Sequence, residues 1–484
     1  CEGALCVSPS RVKNKVDVLF VLDDSPAMGP MLDAWRASLP RLVAALDALA
    51  TTGSPIWYHF GVVTGDLGAG VETLPALGCR PDGDGAKLHT GGLTPAGGVH
   101  YLDDNLIAGT TNIFGDIAAA LDELADVGAA GCAFQSPLEA AYRALHDYNG
   151  FGFLRSDALL VVVFVGNSDD CSVAPTSDLF DGSAAGVSAY GTLDRFRCTQ
   201  FGIACNGAPV PPTSVSGLTG CTPRAPTDGG KLLDAQRYID FLTNPAAQGG
   251  VKVDPDDVAL VAVTAPSDPV GVIVTSPCSA DASVASCPQL DHSCTSASDA
   301  RFFGDPAVRL GTVIQSARNV VRASVCEQND DAVVDAIGNQ VTRFAAGRCL
   351  AEPLARRSDG TPDCIAEDVT ANPDGSTSTA EIPSCAENGH VTPCWQLVDR
   401  LAQYDAQACT PPSMPPPPTC TLPQSCQPVT NPVDGTRELY TIVVARGTTA
   451  VGTPALPPAD TATRRACATP ASVASSPSCC PAWL

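Results

Sequence analysis

Short apolar runs recur along the first 345 residues, and several end abruptly on polar or charged side chains. Residues 16–22, VDVLFVL, stop on Asp23, Asp24 and Ser25. A run that is apolar at nearly every position, with no wet face and with β-branched members, predicts a parallel strand buried on both sides. Residues 159–165, LLVVVFV, and 258–264, VALVAVT, have the same character, and 56–64 and 270–275 read as further strands. Between them, apolar positions at helical spacing predict helices over 31–49, 114–126, 137–148, 236–242, 306–323 and 330–345. Strands alternating with helices imply an α/β fold, a doubly wound and mostly parallel sheet.

The pattern changes near residue 346. The expected organisation is a leader or tether over 1–15, an α/β domain over 16–346 and a distinct module over 347–484. That last part carries ten of the 22 cysteines, the proline tract PPSMPPPP at 411–418, which reads as a linker, and one clear strand at 439–445. A segment of this kind is expected to be a disulfide-rich, β-containing module. Residues 171–230, rich in Cys, Pro, Gly and Ser, read as an insertion decorating the sheet.

Composition then narrows the setting. With aromatics at 5% of the chain, Val, Leu, Ile and Ala must fill most of the core. No C-x-x-C spacing occurs, so the cysteines lack the signature of zinc ribbons, thioredoxin-type redox sites or haem attachment. Disulfides are the expected state, which implies an extracytoplasmic protein. A net charge of -24 opposes binding to phosphate backbones and anionic headgroups, and excludes nucleic acid as the expected partner. The longest internal apolar run, 158–165, is far shorter than the ~20 residues of a membrane helix. A cysteine at position 1 is the residue that bacterial lipoproteins carry after processing, so lipidation of Cys1 is the one membrane attachment expected.

The acidic stop after residue 22 carries the candidate chemistry. Ligands of an open parallel sheet bind beyond the carboxyl ends of its strands. DDSPA, 23–27, resembles the D-x-S-x-S loop of von Willebrand factor A (VWA) domains. Further segments, FGVVTGDLGAG (60–70), GCAFQSPLEAAYRAL (131–145), VVVFVGNSDDCS (161–172) and PCWQLVD (393–399), resemble a group of bacterial surface lipoproteins built on such a domain. The resemblance implies a VWA or Rossmann-like sheet and a metal-ion-dependent adhesion site that accepts a carboxylate from a partner protein. Its candidate ligands here are Asp23, Ser25, Asn167 and Asp169, with Mg2+ or Ca2+ as the cation. Ala27 stands where the second Ser is expected, Ala129 where a Thr is expected and Asn167 where an Asp is expected. Losing those oxygens removes most of what a hard cation needs. The expectation is therefore a degenerate site, with Asp23 and Ser25 bonding loop amides and capping the next helix. Asp169 and Asp170, at the end of the third strand, offer replacement charge. Cys132 and Cys171 flank the same loops and are the expected disulfide.

Other motifs change the picture little. PDGDGAK, 81–87, lacks the full spacing of a calcium loop and reads as a tight acidic turn around Asp82 and Asp84, with Gly83 and Gly85 allowing positive φ. DHSC, 291–294, joins three reactive residue types, but neighbours in a chain rarely face one another. No H-E-x-x-H, G-x-S-x-G, P-loop or G-x-G-x-x-G is present, and no enzyme activity is expected. Cys479 and Cys480 are expected in separate cystines. The functional expectation is a non-catalytic surface protein that binds a protein partner or self-assembles. Its alternatives are a metal-dependent adhesin and a structural subunit of an extracellular assembly.

Overall fold

The computed structural model describes residues 5–8, 15–51 and 56–345 apart from 71, 107, 149–151 and 279–283. Beyond these it describes parts of 354–445 (354, 356–357, 363–371, 377–389, 391, 394–407, 428–431 and 434–445) and residues 461–468.

The continuous apolar runs become the middle of one seven-stranded sheet. Its strands are β1 (Lys15–Leu22), β2 (Trp57–Thr64), β3 (Leu102–Asn105), β4 (Thr110–Thr111), β5 (Leu159–Val165), β6 (Val258–Thr264) and β7 (Asn319–Ser324), in spatial order β7-β6-β5-β1-β2-β3-β4. From β7 to β2 every pairing is parallel, and β3 and β4 add an antiparallel edge. Apart from the short edge strand β4, this is the doubly wound order 3-2-1-4-5-6, in which successive strands are laid outward in opposite directions from β1. The direction reverses between β1 and β5, where Leu22 pairs with Val165.

The sheet is covered on both faces, which explains why its central strands lack alternation. On one side Val16, Val18, Phe20, Leu22, Val161, Val163 and Val261 pack under α1 (Gly29–Thr51), α2 (Ile117–Leu124) and α6 (Asp331–Ala345). On the other, Leu19, Val21, Leu160, Val162, Phe164 and Leu260 pack under α3 (Pro137–His146), α4 (Gln236–Thr243) and α5 (Val308–Ser316). Trp35 of α1 is fully buried, with its ring edge-on to Phe20. Asp17, the one polar residue inside β1, is buried and bound by the backbone N–H and guanidinium of Arg155, with Lys252 3.7 Å away.

The segment expected as one helix over 306–323 is instead α5 followed by edge strand β7. Ala317 leaves the helical region (ψ 157°), and the following Val320 and Val321 pair with Leu260 and Val261. A short apolar run after a helix carries too little periodicity to announce the switch. Residues 270–275 do form a strand, but in a small antiparallel sheet with Val215–Leu218 and Cys287–Asp291.

The stretch 171–230 is more ordered than a decorating loop. It holds helices Ala184–Tyr190 and Phe196–Gly202, and its Phe180 stacks on Phe134. Arg197, 1% exposed, donates to the carbonyls of Leu179, Asp181, Gly191 and Thr192, so one buried cation closes this whole turn of chain. Beyond residue 346 there are more strands than the single one expected. Cys394–Asp399 pairs with Tyr440–Ala445, and Leu5–Ser8 joins Thr461–Ala468, Cys364–Ala371 and Thr377–Ile382 in a four-stranded sheet. Part of the expected leader is thus a strand. Cys1, the 411–418 tract and Cys479–Cys480 lie outside the described residues. Among the described residues, no helix is long and apolar enough to cross a membrane.

Trp35→Ala empties the largest fully buried side chain of the core. It is expected to cost about 3–5 kcal/mol in chemical denaturation.

Candidate functional site

The carboxyl ends of β1, β2 and β5 meet at the point where the sheet changes direction, and backbone hydrogen bonds lace their loops together. Asp23 N–H donates to Val165 O (2.9 Å), Gly65 N–H to Leu22 O (2.8 Å), Gly131 N–H to Asp24 O (2.9 Å) and Ser136 N–H to Gly65 O (2.7 Å). The acidic stop of β1 therefore stands at the ligand-binding rim of a doubly wound sheet.

Each expected ligand has a definite place there. Asp23 accepts from the Ser25 N–H (2.9 Å) and the Ser168 hydroxyl (3.1 Å), which is the loop-bonding role expected of it. Ser25 does not cap: its buried Oγ has no hydrogen-bond partner. Asn167 is fully buried, its Oδ1 facing the Arg195 guanidinium at 3.4 Å, so a cation already stands beside this oxygen. The two oxygens of Asp169 accept the N–H groups of Arg309 and Leu310, each at 2.9 Å, and so cap α5, whose own preceding residue offers no side-chain cap. Burial raises the Asp169 pKa to about 6, against the lowering pull of those two amides. Asp170 is spent in a buried ion pair with Arg309 (3.1 Å) and accepts the Leu138 N–H at the start of α3. Asp169 and Asp170 thus fasten helices rather than replace the missing charge.

A different group converges beside them. Carboxylate oxygens of Asp24, Asp66 and Asp84 lie within 4.8 Å of one another. Asp66 follows β2 and accepts the N–H of Gly68 (2.7 Å) and of Cys132 (3.1 Å). Asp84 comes from the acidic turn, which is a turn as expected, with Gly83 and Gly85 at positive φ. Its N–H donates to Asp66 O, and its carboxylate takes the Thr64 hydroxyl (2.8 Å) and the Arg80 guanidinium (2.7 Å). Asp24 accepts from Gln135 Nε2 (2.9 Å). Burial pushes the Asp24 pKa up to about 8; the Gln135 bond opposes this, and the charges of Asp66, Asp23 and Asp84 add to it. Burial likewise raises Asp66, with the Gly68 and Cys132 amides pulling the other way. A cleft of about 510 Å3 opens above, lined by Asp24, Thr64, Asp84, Lys87, His89 and Gly131 among others.

Asp66 and Gln135 are not among the expected ligands, although they stand in the segments 60–70 and 131–145 that carry the resemblance. The signal was present in part: two acidic loops and a glycine-rich turn. What brings Asp84 to Asp24 is the pairing of loops across about 60 residues, to which no local pattern refers.

The expected Cys132–Cys171 disulfide is replaced by Cys79–Cys132 and Cys171–Cys198. All four sulfurs lie in one buried cluster with Phe134 and Phe180. Cys132 and Cys171 do share a neighbourhood, but the turn after β2 brings Cys79 to Cys132, and Cys171 is taken by the helix at Phe196–Gly202. DHSC is structural: His292 bonds Asp305 (2.7 Å), the Ser293 hydroxyl donates to Pro266 O and Cys294 pairs with Cys326.

No family model matches this sequence, and no curated protein does. Among solved structures, the pilus adhesin RrgA from Streptococcus pneumoniae is similar over 94% of this chain and 56% of its own, at 10% identity and a TM-score of 0.28. The chain thus spans a little over half the length of that structure, and a likeness so slight carries no argument about function.

Non-reducing peptide mapping is expected to recover fragments joined 79–132 and 171–198, and none joined 132–171. A second expectation concerns pH. A carboxyl with a raised folded pKa favours the protonated native state, so its contribution is complete below the unfolded value near 3.8 and is lost as pH climbs through about 8. In chelator, Asp24→Asn is therefore expected to gain stability relative to the parent chain as pH rises from about 4 to about 8, read as the difference between their melting temperatures.

Proposed function

We propose that this chain is a non-catalytic, extracytoplasmic protein-interaction module built on a VWA-like domain, in which the metal-ion-dependent adhesion site is degenerate and the strand-end rim contacts a partner protein. The observation that carries it is the state of the rim. Asn167 Oδ1 faces the Arg195 guanidinium and Asp169 gives both oxygens to the amides at the start of α5, so two of the four expected ligands are drawn into the fold, and the hydroxyl and acid that the full ligand set needs at positions 27, 129 and 167 are missing. The sheet order, with its reversal at Leu22 and Val165, supports the kinship. The cystines support an oxidising compartment. His292, Ser293 and Cys294 of DHSC, engaged by Asp305, Pro266 O and Cys326, support a binding role over an enzymatic one.

Photo-crosslinking tests the assignment of the rim. A crosslinking residue at exposed Ala130, which lines the rim cleft, is expected to trap a protein on the intact cell surface. The same residue at exposed Asp147, just past the far end of α3, is expected to trap none. Equal capture from both positions, or capture of this chain alone in a self-assembled species, would replace the rim reading with that of a structural subunit.

A further inference from the structure

The rim holds a concentration of negative charge that the proposed function does not use. Asp24, Asp66 and Asp84 contribute three carboxylates, of which Asp66 is fully buried and Asp24 nearly so, and the Arg80 guanidinium beside them is largely exposed. Arg80 touches Asp84 at 2.7 Å and stands 3.9 Å from Asp66. Three acidic groups so close together repel as they ionise, weakly screened where they are buried, and that repulsion favours a bound proton or a bound cation.

A second observation, independent of the carboxylates, points to a ligand. Gln135 is 1% exposed and its Oε1 has no hydrogen-bond partner. Its Nε2 is occupied by Asp24 Oδ1 and by Cys132 O (2.7 Å), which settles which end of the amide is nitrogen. The free oxygen therefore sits within about 5.5 Å of Asp24, the 2.9 Å hydrogen bond plus the C–N and C=O bonds. It is wedged against Gly65, between Thr64 and Asp66, where any Cβ would collide with it. A Cβ on Gly131 would collide in the same way with the Asp24 carboxylate. Neither glycine has a positive φ, so space, rather than backbone conformation, demands the missing side chain. A buried carbonyl oxygen without a donor is costly unless something positive completes it.

We infer that Asp24, Asp66, Asp84 and the Gln135 amide oxygen form a divalent-cation site of the Ca2+ type, separate from the degenerate adhesion-site residues. Carboxylate and carbonyl oxygens held on loops, with no nitrogen or sulfur donor, are the chemistry of a hard cation with a flexible shell. Asp66 spends one amide bond on each oxygen, which leaves a lone pair on each for metal. The Cys79–Cys132 disulfide joins the loop after β2 to the loop before α3 and so holds three of the four donors in register before any ion arrives. The cleft reaches the site at Asp24 and Asp84, with Asp66 and Gln135 outside its lining, and supplies an entry path and room for coordinating water on that side. This inference does not depend on the proposed partner binding, because it uses neither Asn167 nor Asp169.

Calorimetric titration of the full chain with CaCl2, after treatment with EDTA and desalting, tests it. One Ca2+ is expected to bind per chain, with a Kd between about 10^-6 and 10^-3 M, and to raise the melting temperature. Asp84→Asn, at the partly exposed position, is expected to weaken binding at least about tenfold, and Gln135→Leu to weaken it as well. Asp23→Asn is expected to leave the Kd within about twofold. Arg80→Gln removes a competing cation from an exposed position, is not expected to disturb folding, and should tighten binding severalfold. The inference is overturned if neither heat nor a melting shift appears at about 10 mM Ca2+. It also falls if Asp84→Asn, folded by circular dichroism, binds as the parent does, or if Asp23→Asn abolishes binding. Should Asp84→Asn fail to fold, unchanged or weaker binding by Arg80→Gln overturns it.

Discussion

The structure depends on the burial of β1 and β5 on both faces at the place where the strand order reverses. Val18, Phe20 and Leu22 face one helical layer while Leu19 and Val21 face the other, and β5 does the same with Val161 and Val163 against Val162 and Phe164. Two strands fixed this firmly side by side bring Leu22 and Val165 into register, and everything at the rim is positioned from that pair. A slip of one residue would exchange the faces of every side chain, so packing enforces the register strongly.

Polar groups at the rim then sort into two kinds. Asp169, Asp170 and Arg309 form a fastening, one carboxylate capping α5 and the other paired with a buried guanidinium, because helix ends and buried charges both need partners at close range. Asp24, Asp66 and Asp84 form the opposite arrangement, in which acidic groups that repel as they ionise are held together by backbone amides, a disulfide and glycine-sized gaps. Proximity that repels must be held by the surrounding loops, and here the loops are tied at Cys79–Cys132 and by the Asp84 N–H to Asp66 O bond.

The stretch 171–230 shows how a segment weak in periodicity becomes structured. Its apolar residues are few, yet Leu179 and Phe180 dock on Phe134, and Arg197 gathers the carbonyls of four residues that no regular element would satisfy. Buried backbone groups must find donors, and a guanidinium with five N–H groups can serve several at once. Through Arg195 the same segment also covers Asn167 and leaves the rim cleft on the Asp24 side.

Much of the fold was legible along the chain because its determinants are local. Nearly unbroken apolar runs at 16–22, 159–165 and 258–264 mark strands covered twice, and helical spacing marks the layers that cover them. The edge strand at 319–324 escaped because a half-buried edge has neither the unbroken apolar character of the centre nor room to display a period. At the site, the sequence by itself determined that acidic residues follow β1 and β5 and that a glycine-bracketed acidic turn follows β2. Which of them share a centre was decided by loop pairing alone: Asp169 was drawn to the amides of α5, Asp84 to Asp24 and Asp66, Cys132 to Cys79. Such choices turn on distances between residues tens of positions apart, and only the packed sheet sets those distances.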